Sequence, residues 1–404
     1  MSKSFAIISL SLLLFCGVSF AQKATDSLPR VFLLDAKQIF DDRVRLARPD
    51  ATAADKCAVA KIIRDGDKAL KIEITPVTAK PLVAPSGDKH DYMSLAPYFW
   101  PDPKKRDGLP YIRRDGERNP EIKSIPDHDS LARLVDTVET LARAYYLSRD
   151  EKYSARDATL LRMWFLDAAT RMNPNMEYAQ AVRGESTGRN FGIIETRGLT
   201  RLVDSIGLLA GSKNWSEADQ KGLEKWFGGY LDWLLTSKLG KLEAAAKNNH
   251  GTHYDEQVAS FALFVGRRDL ARQIIETAKE ERIASQIEPD GSQPLELART
   301  QSWGYSTMNL SGFLSLAKLG ESVNVDLWNY TTKDGRGIRK AIEYLAPFAA
   351  GKKWEHQVLT PLEPERLNRL IRLAGRKYTD KTFGDLVLKS TDLANLSCTT
   401  LFEP

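Results

Sequence analysis

Apolar residues recur at intervals of three and four along most of the chain. Leu131, Leu134, Val135, Val138, Leu141, Ala142 and Tyr145 form one such stripe, and Leu223, Trp226, Phe227, Tyr230, Leu231 and Leu234 another. This is the period of a helix with one buried face. Similar runs over 51–69, 153–169, 199–209, 254–265, 270–283, 310–317 and 337–345 predict a series of ten or more helices. Strand-like alternation is nearly absent and the connections are short, so the helices should pair as antiparallel hairpins in a bundle, solenoid or closed toroid. No fixed repeat period is visible, which disfavours a regular solenoid.

One region breaks the pattern. Nine of the 18 prolines fall between Pro76 and Pro126, in a stretch that includes "SGDKHDYMSLAPYFWPDPKKRDGLPYIRRDGERNPE" and has no helical period. A segment this long without regular structure is usually functional or disordered. Tyr92, Tyr98, Phe99, Trp100 and Tyr111 argue against disorder, which is poor in aromatics. Either a sugar-binding ledge or a packed cover over the helical core is expected.

The N-terminus changes the compartment. Lys3, the apolar run "FAIISLSLLLFCGVSF" and the small residues Ser19 and Ala21 predict a signal peptide over 1–21. The protein is therefore expected to cross the inner membrane and work in the periplasm, without membrane insertion. Phe15 before Cys16 disfavours lipid attachment, which wants a small residue there. Cys57 and Cys398 remain after cleavage, and two thiols are expected rather than a disulfide scaffold. With 58 basic and 53 acidic residues interspersed and a net charge of +5, no nucleic-acid patch is apparent, though the mild excess suits a polyanionic ligand.

Three stretches could carry chemistry. In "KNNHGTHYDEQV", His250, Tyr254, Val258 and Phe261 share a helical stripe, so His250 sits where that stripe emerges at the helix start. Free N–H groups and positive partial charge there favour an anion, so Asn248, Asn249 and His250 could hold a carboxylate. A metal site is not expected: His250 and His253 lack a third ligand and the Glu of an HExxH pattern. In "PDGSQPLELARTQSWGYSTMNLSGFLSLAKLG", Trp303, Ser306, Leu310, Phe313, Leu314 and Ala317 make a core stripe. Tyr305 lies off it with Asn309, six residues after Arg299. A tyrosine facing a cation can have its proton affinity lowered enough to act as a base. In "RGESTGRNFGIIETRGLTRL", Asn190, Arg197 and Arg201 share a face that could meet an acidic polymer.

The blocks "SGDKHDYMSLAPYFWPDP", "GRNFGIIETRGL", "NNHGTHYDEQ" and "DGSQPLELART" followed by Tyr305 resemble the alginate lyase superfamily. Polysaccharide lyase family 38 is the better match and family 5 the more distant, since family 5 spaces the arginine and tyrosine one residue further apart. The resemblance implies an all-α fold, an (α/α) toroid or incomplete barrel of antiparallel hairpins forming a single domain over 22–404. It also implies β-elimination on a 1,4-linked polyuronate such as alginate or glucuronan, with no cofactor. Asn249, His250 and Arg299 would neutralise the uronate carboxylate, while Tyr305, as phenolate or nearly so, would move protons. Lys89, His90, Tyr92, Trp100, Arg189, Asn190, Arg197, Asn248, His253, Tyr254 and Trp303 are the candidate substrate contacts. His253 departs from the aromatic expected there. A glycoside hydrolase would need two facing carboxylates, and Asp255, Asp290, Glu195 and Glu296 show no pairing by spacing. A hydrolase would also leave the His, Tyr and Arg cluster unexplained, and a non-catalytic glycan-binding protein would prefer a lipid anchor and exposed aromatic platforms, which Phe15 before Cys16 disfavours.

Overall fold

A computed structural model describes residues 27–389. The expected signal peptide, Cys16 and Cys398 lie outside them. Cys57 is disulfide-bonded, where the sequence favoured a thiol. Fourteen helices are formed among the described residues: α1 (Ala36–Leu46), α2 (Ala53–Ala69), α3 (Asp127–Ser148), α4 (Glu151–Leu161), α5 (Leu199–Leu208), α6 (Glu217–Thr236), α7 (Lys238–Ala244), α8 (Asn249–Phe264), α9 (Arg268–Ala278), α10 (Pro294–Leu297), α11 (Ser302–Glu321), α12 (Ile338–Ala349), α13 (Pro364–Ala374) and α14 (Lys381–Lys389). The run expected over 153–169 ends earlier as regular helix, at Leu161, and continues as a π-helical turn over Arg162–Leu166.

The helices form an all-α toroid. Helix α3 packs on α5, α5 on α8, α8 on α11 and α11 on α13, and these inner helices line a central cavity of about 480 Å³. Outside them, α2 and α4 pack on α3, α6 and α9 on α8, and α12 on α11. Local sequence starts several of these helices cleanly. In α2 and α6, Thr52 with Asp55 and Ser216 with Asp219 close capping boxes, each satisfying N–H groups the helix start would leave orphaned. The predicted stripes of α3 and α6 are buried as expected.

Helix α8 is the exception that positions the site. Every one of its residues except His250 is buried, because helices pack against it on several sides. Its polar residues therefore need protein partners. Asp255 accepts hydrogen bonds from Arg282 at 2.8 and 3.2 Å, and Gln257 accepts one from Thr196 at 2.7 Å. Such an ion pair adds little net stability, yet removing one partner strands a buried charge. Arg282 also donates to the carbonyls of Ala244 (2.7 Å) and Ala246 (3.1 Å), so it fixes the turn leading into Asn248.

The proline-rich segment is a packed cover. Lys80 and Asp127, both fully buried, pair at 3.0 Å. Lys80 also donates to the carbonyls of Val77 and Lys89, and Asp127 accepts from the Met93 amide. Strand β1 (Met93–Leu95) pairs in parallel with β4 (Tyr178–Ala181), while β2 (Phe99–Trp100) and β3 (Ile112–Arg113) form an antiparallel hairpin. The cover is thereby pinned to the start of α3 and carries aromatic and charged side chains over one end of the toroid. No described helix is long and apolar enough to cross a membrane.

Candidate active site

Between the cover and the start of α8 lies a cleft of about 560 Å³, lined by Tyr98, Phe99, Arg189, Phe191, Arg197, Asn248, Asn249, His250, Arg299 and Tyr305 among others. Asn248 caps α8, its side chain accepting from the His250 amide at 3.2 Å, so the positive end of a 16-residue helix opens into the cleft.

Two carboxylates behind the wall hold the pair at the helix start. Glu296 accepts from the Asn249 amide at 2.6 Å and from Asn249 Nδ2 at 2.7 Å. That leaves one Nδ2 hydrogen and an Oδ1 without a protein partner. Burial raises the Glu296 pKa, and the Asn249 hydrogen bonds act against it. Glu243 lies 2.6 Å from His250 Nδ1 and accepts from Asn190 Nδ2 at 2.8 Å. In the neutral ring, a carboxylate facing Nδ1 selects the tautomer with its proton there and its lone pair on Nε2. Phe191 and the imidazole pack edge-to-face, ring centres 4.9 Å apart.

Arg299 and Tyr305 form the opposite wall. Arg299 donates to Asp115 at 2.7 and 3.1 Å and to the Tyr305 hydroxyl at 2.9 Å, its guanidinium lying 3.9 Å from the Tyr305 ring centre. Asp115, from the cover, also takes hydrogen bonds from the Thr300 hydroxyl and amide. Burial pushes the Asp115 pKa up, but the Arg299 and Thr300 hydrogen bonds outweigh it and hold the carboxyl well below its usual range. For Arg299, burial acts against the charged form and the Asp115 hydrogen bonds more than offset it, so the guanidinium stays protonated.

Tyr305 differs from expectation. Its hydroxyl donates to the Tyr98 hydroxyl at 2.8 Å. Burial, then Tyr98, pushes its pKa upward, and the lowering effect of Arg299 is smaller. The free site therefore holds a phenol, not a phenolate. Helical spacing revealed the cation six residues away but not the desolvation beneath it. Asn309, expected beside Tyr305 on a polar surface, is instead buried, donating to Gln286 and Gln293.

Of the predicted substrate contacts, Arg189, Arg197 and Asn248 line the cleft. Asn190 stands behind His250 through Glu243. Tyr92 is fully buried and donates to Glu195 at 2.7 Å. Tyr254 is buried with its hydroxyl on the Leu234 carbonyl, and Trp303 is buried against Trp354. His253 sits in the wall of the central cavity between Glu256 (2.6 Å) and the Met308 carbonyl (3.1 Å). Lys89, His90 and Trp100 do not line the cleft; His90 Nδ1 lies 2.6 Å from the Arg171 carbonyl, and Trp100 is covered by Arg114. Arg201 lines the central cavity, paired with Asp136 at 3.0 Å and with Glu139. The periodicity that made Tyr254 and Trp303 core residues was the better guide to them. Glu243, Asp115 and Phe191 were not singled out by the sequence, Glu296 was weighed only as a hydrolase carboxylate, and Tyr98 and Phe99 only as part of a sugar-binding ledge; no spacing rule links any of them to the residues they serve. No group of three or more His, Cys, Asp or Glu residues that could hold a metal ion occurs among the described residues.

Residues 76–354 match the family model described as alginate lyase. The chain belongs to the alginate lyase family. The fold of this polysaccharide lyase is similar to that of an alginate lyase from Bacteroides ovatus, with 37% identity, 92% of this chain and 98% of the other covered, and a TM-score of 0.87. It is also similar to alginate lyase A1-III from Sphingomonas species A1, at 16% identity over 91% of this chain and 94% of the other, TM-score 0.59. A histidine-to-alanine variant of alginate lyase A1-III complexed with a tetrasaccharide matches at 14% identity over 89% of this chain and 92% of the other, TM-score 0.57. No curated protein matches the chain.

Proposed function

We propose that this lyase cleaves alginate by β-elimination within the cleft at the start of α8, working in the periplasm after export. The observation that carries this is the convergence of Asn249, His250, Arg299 and Tyr305 on one cleft, with Arg299 hydrogen-bonded to the Tyr305 hydroxyl at 2.9 Å. The alginate lyases of similar fold, one of them complexed with a tetrasaccharide, support the substrate class.

The C5 proton of a uronate is alpha to a carboxylate and is too weakly acidic while that group keeps its full charge. Asn249 Nδ2, the open face of Arg299 and the α8 terminus would neutralise it and stabilise the enolate-like charge as the proton leaves. The electron pair of the C5–H bond then forms the C4–C5 double bond, the C4–O4 bond breaks, and O4 takes a proton. Tyr305, a phenol beside Arg299, is placed to supply that proton. Where C5–H and O4 lie on opposite faces, as in guluronate, His250 Nε2 accepts the C5 proton. Where they lie on one face, as in mannuronate, Tyr305 serves both steps after first losing its own proton, and His250 joins the carboxylate clamp.

The product is a 4,5-unsaturated uronate that absorbs in the ultraviolet. Purified protein incubated with alginate, polymannuronate, polyguluronate and glucuronan should raise ultraviolet absorbance with at least one. No rise with any of the four would sink the proposal. Tyr305→Phe should abolish turnover while substrate still binds; near wild-type turnover would exclude Tyr305 as proton carrier.

A further inference from the structure

We propose that Gln180, Arg189 and Phe191 build a subsite that reads the carboxylate of the sugar unit flanking the cleaved one, with Gln180 as the positioning residue. This rests on the lyase activity proposed above and adds a requirement on the neighbouring unit.

The backbone around Arg189 is pressed onto β4. A Cβ at Gly188 would lie 1.9 Å from the Glu177 carbonyl oxygen, and one at Gly192 would lie 2.3 Å from the Ala179 Cβ. Only glycine allows both approaches. The Arg189 amide donates to the Ala179 carbonyl at 2.9 Å, so the intervening Arg189, Asn190 and Phe191 leave the strand at a fixed point.

Gln180 opposite carries the strain. Its φ is +50°, in the left-handed region a non-glycine residue rarely occupies. In that conformation its backbone carbonyl accepts from Arg189 Nε at 3.0 Å and its side-chain Oε1 accepts from Arg189 Nη2 at 3.1 Å. Phe99 and Phe191 sandwich the guanidinium, with ring centres 4.6 and 5.1 Å from Cζ. Nε and Nη2 are thus engaged and the guanidinium carries a ring from each of two aromatics, while Nη1 has no hydrogen-bond partner among the described residues in a cleft that Arg189 lines.

Arg189 also forms no direct ion pair, its nearest carboxylates, among them Glu185, Glu195 and Glu243, acting only at longer range. Arg113 and Arg299 in the same cleft share Asp115, whereas no carboxylate lies within salt-bridge distance of Arg189 among the described residues. A half-buried guanidinium held rigid by neutral acceptors suits a carboxylate brought by a ligand. Phe191 is 40% exposed, and its ring stands between Arg189 and the His250 imidazole. Its free face is a platform for the apolar face of a sugar ring. A unit stacked there places its carboxylate at Arg189 while the adjoining unit occupies the catalytic wall.

The test uses the mature protein and tetrauronates carrying a single methyl ester at each position in turn, followed by ultraviolet absorbance. For the wild type, one flanking ester should lower kcat/KM by about 10- to 100-fold, the range of a charged hydrogen bond. Arg189→Met should be slow on the free acid and show no further loss with that ester. Gln180→Gly keeps the positive φ and the carbonyl contact but removes Oε1. It should retain the wild-type Tm and lose part of the discrimination, which a merely structural role would not do. Wild type indifferent to every flanking ester overturns the subsite while leaving the lyase activity standing, as do equal losses in Arg189→Met on free and esterified substrates. Unaltered discrimination in Gln180→Gly removes Gln180 from the proposal. If the wild type cleaves none of the unmodified tetramers or polymers, the proposed function itself falls and the subsite with it.

Discussion

Glu243→Gln isolates how much of the site depends on the carboxylate behind His250. The Glu243 side chain is 1% exposed and that of His250 12%, so neither can trade the 2.6 Å contact for water without rearrangement. Glu243 has two acceptor oxygens and spends one on His250 and one on Asn190. Glutamine has a single oxygen. If that oxygen stays on Asn190, the new NH₂ faces His250 Nδ1, reverses the imidazole tautomer and places a proton on Nε2, the atom facing substrate. If it turns to His250, the NH₂ faces the Asn190 NH₂, two donors with no acceptor unless the Asn190 amide flips. Either outcome forfeits a charge-assisted hydrogen bond worth about 1.5–3 kcal/mol, so kcat/KM should fall on the order of 10- to 100-fold, and further where the tautomer reverses. The shape of the residue is kept, so the fold should persist, with Tm lowered by no more than a few degrees for the lost buried hydrogen bond. The assay is initial-rate ultraviolet absorbance on alginate, with thermal unfolding of the same preparation. A variant with kcat/KM within threefold of wild type would refute the role assigned to Glu243.

Asp115→Ala should leave Arg299 without its bidentate partner and release the cover from Thr300; kcat/KM should fall at least tenfold, and an unchanged value would show that Arg299 is positioned without it. Gly251→Ala would set a Cβ 2.1 Å from the Ala246 carbonyl oxygen and 3.0 Å from the Arg282 guanidinium, so both Tm and turnover should drop, and a variant matching wild type in both would refute that packing. Asp204 accepts three backbone hydrogen bonds from Phe32, Leu33 and Leu34 but is fully buried, and burial raises its pKa to about 6. A carboxyl raised in the folded state contributes stability below its unfolded pKa of about 4 that is lost as pH rises through about 6. Urea unfolding should therefore show Asp204→Ala costing more at pH 4 than at pH 7, by about 2 kcal/mol, and a pH-independent cost would refute the assignment.

The fold was legible because its main information is periodic. The stripes of α3 and α6 are each buried by neighbours of the same kind, so the three-and-four spacing survives packing intact. Helix α8 shows where this fails. Its apolar stripe is real, but the polar face is buried too, and Asp255 and Gln257 are tied to Arg282 and Thr196. No local pattern states that a helix is surrounded. The resemblance placed His253 and Tyr254 beside His250 in the cleft, whereas the toroid turns one toward its central cavity and the other into the core, as the apolar stripe already predicted for Tyr254.

The site divided along a similar line. Asn249, His250, Arg299 and Tyr305 sit in short blocks whose residues are close in sequence, but the groups that hold them come from elsewhere: Asp115 lies 184 residues before Arg299, and Tyr98 207 before Tyr305. Those long-range partners decide the chemistry of the resting site. Arg299 alone would favour a phenolate, but the cover places Tyr98 on the same hydroxyl and excludes water around it, and the proton stays on Tyr305. Glu243 acts on His250 by orientation: its contact with Nδ1 makes Nε2 the lone pair of the neutral ring. With the imidazole neutral, the site pairs a protonated Tyr305 with an open Nε2 at His250. In the proposed reaction that is the state an elimination across opposite faces of the sugar ring needs at once, whereas elimination across one face requires Tyr305 to lose its proton first. If so, the pH dependence should differ between epimers: with polymannuronate the rate should keep rising on the alkaline side after that with polyguluronate has levelled. Superimposable profiles would show that one acid–base division serves both.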